Sequence, residues 1–521
     1  MQENFLIGIG GTGSRVLEAF VHCCAAGFGP RGKVHLMLID PDAGNGNLTR
    51  TKTLIQQYRT LREAFKREDS NPAFQTELHI PENDAPFVWS IFDEADQTLK
   101  KYIGYENLRS QDGPLADVAD LLFTQAELNT KLNEGFRGHP SIGAVVMADP
   151  PMSEYPFKML KDNMPAEAGA ARVFLVGSIF GGTGAAGFPT LGADKVLKYN
   201  DELQTRLGEN RSKVLLGGAL VLPYFDFTVD DTSGGQLFVT PQDFPIATKA
   251  ALHYYNDKQL AFDQYYFIGD SLAQKVGKFS TGTASQENRP HYVELASALA
   301  AFDFFRQEQP KESAEKSYFI ASRETPTVSW DQLPLSRQGD QLAALRTQFR
   351  EVISDFTLFC YTYLTVGHQH LDPANRRNTL DTPWYRDSFQ KGASSAKDDP
   401  AHGENLPLHE LMTSFARRFL RWITDLDDRA QVQLIDSDKL LASQGAESRA
   451  VLPLKRPQEW PTNMGLLYRG RQTGGRDYHY YTANVLNNSQ IKDFSQHAAD
   501  RYLNIFFRAA HQFNQDNAAV R

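Results

Sequence analysis

The chain has 521 residues, of which 41% are hydrophobic and 11% aromatic, and its formal net charge is −9 at pH 7. This length suits about two or three domains with sizeable cores. The negative charge argues against bulk binding to nucleic acid or to an anionic membrane. No stretch reaches the ~20 apolar residues of a membrane span. The three cysteines show neither disulfide nor zinc spacing, so we expect a globular protein of the reducing cytoplasm.

The N-terminal part alternates apolar runs with helical stretches, a pattern typical of α/β proteins. Strands are predicted at residues 4–8, 34–39, 172–178, 214–222 and 264–268. Residues 143–147 fit either a strand or a helix, and a further strand is expected within 317–330. Apolar spacing predicts helices at residues 245–256, 290–305 and 340–364, with two more amphipathic helices towards the C-terminus.

Two glycine-rich loops lie far apart in the sequence, each directly after a predicted strand. The first is residues 8–14 (GIGGTGS) and the second is residues 181–187 (GGTGAAG). Glycine lets the backbone turn tightly and approach a ligand closely. The helix that follows such a turn directs its free N–H groups and positive dipole end at an anion. Two loops of this kind predict a polyphosphate held between two helix N-termini.

The first loop alone fits two kinds of enzyme. Gly8, Gly10 and Gly13 match the dinucleotide fingerprint, and the second strand ends in Asp40, as in a ribose-binding Rossmann domain. The same stretch resembles the adenylating enzymes that activate ubiquitin-like proteins, which continue with an Asp-x-Asp strand end and Asn-Leu-x-Arg, here residues 47–50. Both alternatives stay open for the first loop, and neither accounts for the second.

A third interpretation accounts for both loops. Residues 177–184 (GSIFGGTG) resemble the signature phosphate loop of tubulin and FtsZ. In that family a first glycine loop also follows strand one, and an acidic loop follows strand two. Residues 135–143 resemble the γ-phosphate loop of FtsZ, and residues 218–227 resemble the strand and loop that reach its ribose. The resemblance covers about residues 1–310 and best fits the divergent bacterial tubulin-like proteins.

This resemblance implies a Rossmann-like, tubulin/FtsZ-type nucleotide-binding domain followed by a C-terminal α+β or α-rich domain. It implies GTP or GDP as the ligand, with Mg²⁺ neutralising the phosphates. Asp42 would hold the metal or its waters, together with Asp40. The nucleotide-binding residues it implies are Gly10, Gly11, Thr12, Gly13, Ser14, Asp40, Gly138, Gly181, Gly182, Thr183, Gly184, Ala185 and Asp226.

The chain also departs from the FtsZ pattern. Residues 52–130 are polar and charged, so we interpret them as an insertion in the nucleotide-binding domain. The sequence beyond residue 306 does not match the FtsZ C-terminal domain. We expect a second domain to begin in residues 311–371, an exposed loop or linker at 372–404, which is rich in Pro, Gly and Ser, and an α-rich region at 405–521.

In FtsZ an Asn-x-Asp-x-x-Asp loop completes the neighbouring subunit's site, and this chain lacks that pattern. The nearest candidates are Asn288 and Glu294, with Glu294 as the catalytic acid supplied in trans. The competing interpretation is that Glu294 is a first-turn helix acid stabilised by the dipole. Asp303 and Asp331 are the next candidates for the acid.

Three function classes follow from these patterns. The first is a GTPase whose nucleotide state controls head-to-tail self-association or the binding of protein partners. The second is a nucleotide-gated binding module that neither polymerises nor hydrolyses. The third is an adenylating or NAD-dependent enzyme that uses only the first loop. A head-to-tail contact is heterologous, and it propagates into a filament unless it closes.

Overall fold

A parallel β-sheet forms the centre of the chain in the computed structural model. Its strands are β1 (Glu3–Ile9), β2 (Lys33–Ile39), β3 (Glu77–His79), β4 (Val88–Trp89), β5 (Ala171–Ser178), β6 (Val214–Val221), β8 (Gln264–Ile268) and β10 (Ser317–Ala321), and a separate parallel pair is β7 (Phe225–Thr228) with β9 (Gln274–Lys278). The structure describes residues 3–42, 44–65, 71–81, 86–90, 97–132, 136, 139–148, 150–165, 171–193, 196–198, 200–201, 203, 214–228, 244–258, 260–270, 274–278, 288–307, 316–323, 325–335, 340–391, 396–428, 430–442, 452–456, 459–460, 476–491, 495 and 497–519.

The strand order across the sheet is β3-β2-β1-β5-β6-β8-β10, with β4 also beside β2, and every pair is parallel. The chain therefore has an α/β fold with an open parallel sheet, compatible with a Rossmann-like fold. Successive strands run outwards from β1 in one direction and from β5 in the other. The point between β1 and β5 is thus the topological switch point, where open α/β sheets bind their ligands.

Helices cover both faces of the sheet, as an all-parallel sheet requires. Two neighbouring glycines of β6 show this, because their absent side chains leave room for rings on opposite faces. A methyl group at Gly217 would lie 2.7 Å from the ring of Phe304, and one at Gly218 would lie 2.7 Å from the ring of Phe188. A larger residue at either position would push a helix away from the sheet.

The helices in the first part of the chain are α1 (Gly10–Ala26), α2 (Gly46–Phe65), α3 (Leu99–Tyr102), α4 (Tyr105–Gln111), α5 (Gly113–Leu122), α6 (Gln125–Leu128), α7 (Pro140–Val146), α8 (Phe157–Asn163), α9 (Gly182–Leu191), α10 (Phe244–Lys258) and α11 (Tyr292–Arg306). Those in the rest of the chain are α12 (Asp340–Thr362), α13 (His368–Leu371), α14 (Arg376–Leu380), α15 (Pro383–Tyr385), α16 (Leu406–Asp428), α17 (Ser437–Leu440), α18 (Tyr478–Tyr480) and α19 (Ala498–Ala519).

The long C-terminal helices α12, α16 and α19 pack against α1 and α2, so the C-terminal part shares a continuous hydrophobic core with the sheet. His22 of α1 stacks on Trp422 of α16 with ring centroids 4.9 Å apart. Near α2, Asn71 donates a hydrogen bond to Asn504 of α19 over 3.1 Å. Among the described residues, no helix combines the length and the apolar composition needed to cross a membrane.

The predicted strands at 4–8, 34–39, 172–178, 214–222 and 264–268 are confirmed, as are the helices at 245–256 and 290–305. The ambiguous run at 143–147 is helical and belongs to α7. The strand expected within 317–330 forms as β10, but it pairs with β8. The sheet therefore extends beyond the boundary predicted at residue 310.

Part of the segment interpreted as an insertion, residues 52–130, contributes to the central layer. The helix α2 runs to Phe65 and packs on α1, and β3 and β4 pair with β2 at the edge of the sheet. Its polar composition comes from the solvent-facing side of α2 and from the short helices α3, α4 and α6. Composition alone did not reveal the buried side of α2, which carries Leu54, Ile55 and Tyr58.

The segment 372–404, expected as an exposed loop or linker, has regular local structure in the part that is described. It forms a series of short helical turns at Pro373–Asn375, Arg376–Leu380, Pro383–Tyr385, Arg386–Gln390, Ala396–Asp398 and Gly403–Asn405. Trp384 and Phe389 are buried and pack on α19, with ring centroids 5.9 Å from Phe506 and 6.0 Å from Tyr502, respectively. Aromatic side chains anchor a segment whose other residues resemble a linker.

Candidate functional site

The two glycine loops lie side by side at the topological switch point. Strand β1 runs into α1, which begins at Gly10, and strand β5 leads to α9, which begins at Gly182. Neither helix start has a side-chain cap: the N-cap residues are Ile9 and Gly181. The first-turn N–H groups of both helices therefore lack the usual side-chain acceptor, and each positive dipole end faces the carboxyl edge of the sheet.

The loops contact each other at Gly10. This residue has a φ of +70°, a conformation that glycine adopts without strain. A methyl group at Gly10 would lie 3.3 Å from the Cβ of Thr183 and 3.6 Å from the backbone nitrogen of Gly184. The structure thus brings together two loops that the sequence holds far apart.

Two other glycines let each helix approach its own strand. A methyl group at Gly13 would lie 2.6 Å from the carbonyl carbon of Gly8, and one at Gly184 would lie 2.6 Å from the nitrogen of Ser178. Both positions abut backbone that cannot move aside, so they serve helix–strand packing. Gly11 differs, because a methyl group there would have no neighbour closer than 3.7 Å.

Three side-chain nitrogens converge beside Gly11. A methyl group at Gly11 would lie 3.7 Å from Nδ2 of Asn45, 3.8 Å from Nη1 of Arg15 and 3.9 Å from Nδ2 of Asn47. Asn45 and Asn47 lie just after β2, at the start of α2, and Arg15 belongs to α1. A cleft of about 1510 Å³ lies between α2 and α16, with Gly46 and Asn288 in its wall, and the residues that line it include none from the two glycine loops.

Arg15 lies in a buried polar network beneath the first loop. Its Nε donates to Oε1 of Glu294 over 2.5 Å, and its Nη2 donates to the hydroxyls of Tyr224 and Thr12. The side chains of Arg15 and Glu294 are each only 4% exposed. Burial raises the pKa of Tyr224 to about 12 although the charge of Arg15 opposes this shift, so the phenol stays protonated at neutral pH.

Glu294 is placed differently from an acid presented to a neighbouring subunit. It is buried within its own chain, where its Oε2 accepts the backbone N–H of His291 over 3.0 Å and completes a capping box at the start of α11. Burial raises its pKa, and Arg15 opposes the shift. This matches the competing interpretation of a first-turn helix acid. Asn288 likewise contacts its own chain, donating its backbone N–H to Asn47 over 3.0 Å.

The acidic residues after β2 form two successive turns. Oδ1 of Asp40 accepts the N–H of Asp42, and Oδ1 of Asp42 accepts the N–H of Gly44, both over 3.1 Å. Burial raises the pKa of Asp40 to about 7. The hydrogen bond from Asp42 opposes this shift, and the charge of the Asp42 carboxylate adds to it. A nearby cation would stabilise the ionised form of Asp40.

These two carboxylates suit Mg²⁺, which nucleotide sites hold through one or two carboxylates, phosphate oxygens and waters. Within the residues that the structure describes, no three histidine, cysteine, aspartate or glutamate side chains cluster as metal ligands. Phosphate oxygens and waters would therefore complete the shell of a metal beside Asp40 and Asp42.

The remaining predicted site residues divide into three groups. Gly181, Gly182 and Thr183 are half-buried at the mouth between the loops, whereas Thr12, Ser14 and Ala185 are buried. The hydroxyl of Ser14 has no hydrogen-bond partner among the described residues. Gly138 lies outside the described residues. The backbone of Asp226 pairs with Lys275 in the β7–β9 ribbon, and its side chain also lies outside the description.

Asp303 and Asp331, the next candidates for a catalytic acid, make no contact with the polar network of Arg15 and Glu294 among the described residues. Asp303 is buried and accepts a hydrogen bond from the hydroxyl of Tyr266 over 2.7 Å. Asp331 is exposed in a short helical turn at Trp330–Gln332. Among the contacts of the described residues, neither acid is bonded to a glycine loop.

Sequence reasoning missed Arg15, Asn45 and Tyr224 as parts of the site. Arg15 directly follows the first glycine loop, so the sequence could have predicted that it lies near the loop. The sequence could not predict that Arg15 is buried together with Glu294. Asn45 lies three residues after Asp42, at the carboxyl end of β2, and this position predicts a place at the ligand edge of the sheet.

A scan against protein-family models finds no match for this chain, and a search of curated proteins finds no significant relative.

Proposed function

We propose that this chain binds a nucleoside triphosphate, with the phosphates between the two glycine loops. One observation carries the proposal: Gly10 meets Thr183 and Gly184 at the switch point, between two helix starts without side-chain caps. Such an arrangement offers N–H groups and two dipole ends to a single anion. A ligand with several phosphates uses both loops, whereas a dinucleotide fingerprint uses only the first.

We further propose that the nucleotide is GTP or GDP and that the protein is of the tubulin/FtsZ type. The order of the loops along the chain supports this, together with the helix α11, which runs from the ligand edge back across the sheet. In this proposal, hydrolysis of GTP alters head-to-tail self-association or partner binding. The buried Glu294 is not assigned the role of the hydrolytic acid.

The exposed face of α5 supports a protein contact. Leu115, Val118, Leu121 and Leu122 follow one side of this helix and are 49%, 47%, 85% and 65% exposed. Clustered apolar residues on a surface mark sites of protein association. The proposal of a protein partner or a second copy of the chain draws on this face.

An adenylating enzyme is the second candidate. Asn47 lies beside Gly11, which favours it, because the Asn-Leu-x-Arg stretch then borders the first loop. Arg50, however, is held by Glu18 through hydrogen bonds of 2.7 to 3.0 Å and donates to the carbonyl of Asn288. ATP–pyrophosphate exchange without GTP binding would support this candidate.

Calorimetric titration of the purified chain with GTP, GDP, ATP and NAD tests the proposal. We expect binding of GTP and GDP in the presence of Mg²⁺, and release of a guanine nucleotide when freshly purified protein is denatured. Binding of NAD alone, or of no nucleotide by protein that is folded and free of ligand, would contradict it.

The metal assignment predicts a selective effect at Asp42. Asp42→Ala is expected to weaken GTP binding by about tenfold in Mg²⁺ while weakening GDP binding less, because the γ-phosphate adds charge that the metal neutralises. Asp42→Asn keeps an oxygen for the N–H of Gly44 and should show the same selectivity. Titrations with and without a chelator check this, and equal losses for both nucleotides would remove Asp42 as a metal residue.

A further inference from the structure

We propose that Arg15, Asn45 and Asn47 form a subsite for the terminal phosphate of the nucleotide, and that Arg15 communicates its occupancy to the start of α11. The inference rests on the proposed function, since it names which part of the ligand these residues take. The glycine loops would hold the phosphate chain through backbone N–H groups. The subsite adds side-chain hydrogen-bond donors on one side of the phosphate chain.

The donors converge on one point. The three nitrogens Nδ2 of Asn45, Nη1 of Arg15 and Nδ2 of Asn47 lie within 3.7 to 3.9 Å of where a methyl group at Gly11 would be. Arg15 belongs to α1 and Asn47 to α2, and Asn45 directly precedes α2. Gly11 itself carries no side chain that would occupy this point.

The orientation of both amides is fixed by hydrogen bonds to their oxygens. Oδ1 of Asn45 accepts the N–H of Asn47 over 2.9 Å, and Oδ1 of Asn47 accepts the N–H of Asn288 over 3.0 Å. Each oxygen is thereby engaged with backbone, and each Nδ2 lies on the side of Gly11. Nδ2 of Asn47 also donates to Oδ1 of Asn288 over 3.4 Å, so one of its two hydrogens is left for an acceptor beside Gly11. Donor nitrogens grouped in this way suit an anion rather than a cation.

The guanidinium of Arg15 has one nitrogen that makes no hydrogen bond to the described residues. Its Nε and Nη2 are used by Glu294, Tyr224 and Thr12, whereas Nη1, the nitrogen beside Gly11, has no hydrogen-bond partner among the described residues. A buried arginine with an unused donor aimed at a ligand edge matches the geometry of phosphate recognition.

The position of the carboxylates identifies which phosphate lies here. The N–H of Asn45 donates to the backbone carbonyl of Asp42 over 3.2 Å, so the donor cluster adjoins the two acids proposed to hold Mg²⁺. Mg²⁺ in nucleoside triphosphate sites bridges oxygens of the β- and γ-phosphates. The group beside Asn45 and Arg15 is therefore the terminal phosphate, and a diphosphate leaves this corner empty.

The same arginine contacts the first turn of α11. Glu294 binds Arg15 through Oε1 and caps the helix through Oε2, which accepts the N–H of His291. A terminal phosphate at Nη1 competes with Glu294 for the positive charge of Arg15. Occupancy of the subsite thus weakens or shifts the contact that holds the start of α11.

The test compares GTP and GDP affinities of the wild type with those of Arg15→Met/Glu294→Met, which removes both buried charges together and leaves none unpaired. We expect GTP affinity to fall by about 10- to 100-fold, the loss of a charged hydrogen bond. GDP affinity should change by less than about threefold. The loss should persist in a chelator, which separates it from the metal effect. Arg172→Met, at a buried arginine that donates to the carbonyls of Phe304 and Phe305, controls for general destabilisation.

Hydrogen exchange provides the readout for the relay. In the wild type, peptides covering residues 288–295 should exchange differently with GTP and with GDP, and in the double variant this difference should vanish. Equal losses of GTP and GDP affinity, or an unchanged preference for GTP, would overturn the subsite. If the wild type binds neither nucleotide, the proposed function itself fails, which is a distinct result.

Discussion

Replacing Gly11 with valine is expected to weaken triphosphate binding on the order of 100-fold without lowering the unfolding temperature. Gly11 has no left-handed φ, and a methyl group there finds neighbours only at 3.7 Å and beyond, so the Cβ of valine fits without backbone strain. The valine would fill the space between the first turn of α1 and the nitrogens of Arg15, Asn45 and Asn47. Titration with GTP, beside thermal unfolding monitored by circular dichroism, measures both quantities.

The choice of glycine decides whether a loss of binding can be separated from a loss of folding. Gly13→Val and Gly184→Val would drive a side chain into backbone 2.6 Å away and are expected to damage the fold. Gly113→Val is the matched control, because Gly113 starts α5 in open space. Gly182→Val should block the same space from the second loop. GTP affinity in Gly11→Val equal to that of Gly113→Val would show that the first loop is not the binding site.

The second large effect is a loss of stability in mild acid. Burial lowers the pKa of His22 to about 3 and those of His370 and His409 to about 4. These groups stay neutral in the folded chain but take up protons when the chain unfolds below pH ~6.5. Their stabilising contribution is therefore complete above about pH 6.5 and is lost as the pH falls towards the folded pKa values. At about pH 5 each histidine costs about 2 kcal/mol, or about 6 kcal/mol together.

His22→Phe isolates one of these contributions. His22 is fully buried, its two ring nitrogens have no hydrogen-bond partner among the described residues, and its ring stacks on Trp422. Of the charged groups that act on it, Glu18 favours its protonation, whereas Arg418 and Arg50 oppose it. A phenyl ring keeps the stacking and cannot take up a proton. Urea unfolding should show the variant gaining about 2 kcal/mol on the wild type between about pH 7.5 and 5. An identical pH dependence in both proteins would contradict this account of His22.

Local patterns in the sequence predicted the parts of the site that depend on short stretches of chain. The strand–glycine–helix units at residues 8–14 and 181–187 could be predicted because tight turns require glycine at fixed positions. The acids Asp40 and Asp42 were placed by the end of an apolar strand. The order of these units predicted an α/β sheet, since alternating strands and helices favour parallel pairing.

The contacts that complete the site depend on long-range packing, which leaves no local signal. Arg15 and Glu294 are 279 residues apart in the sequence, and their pairing exists only because α11 crosses the same face of the sheet as α1. The helical turns within 372–404 were missed for a related reason: Trp384 and Phe389 find partners on α19, far along the chain. The composition of such a segment reflects its many polar residues, whereas a few buried aromatic side chains determine its structure.

Hydrogen exchange of the wild-type chain with and without GTP and Mg²⁺ tests the central claim most directly. A triphosphate held by both helix starts should slow exchange in two separate peptides, one covering residues 8–15 and the other covering residues 178–185. A dinucleotide or adenylate bound at the first loop alone would protect only the first peptide. Protection of both peptides is the result that this account predicts, and protection of one or neither, at saturating GTP, would contradict it.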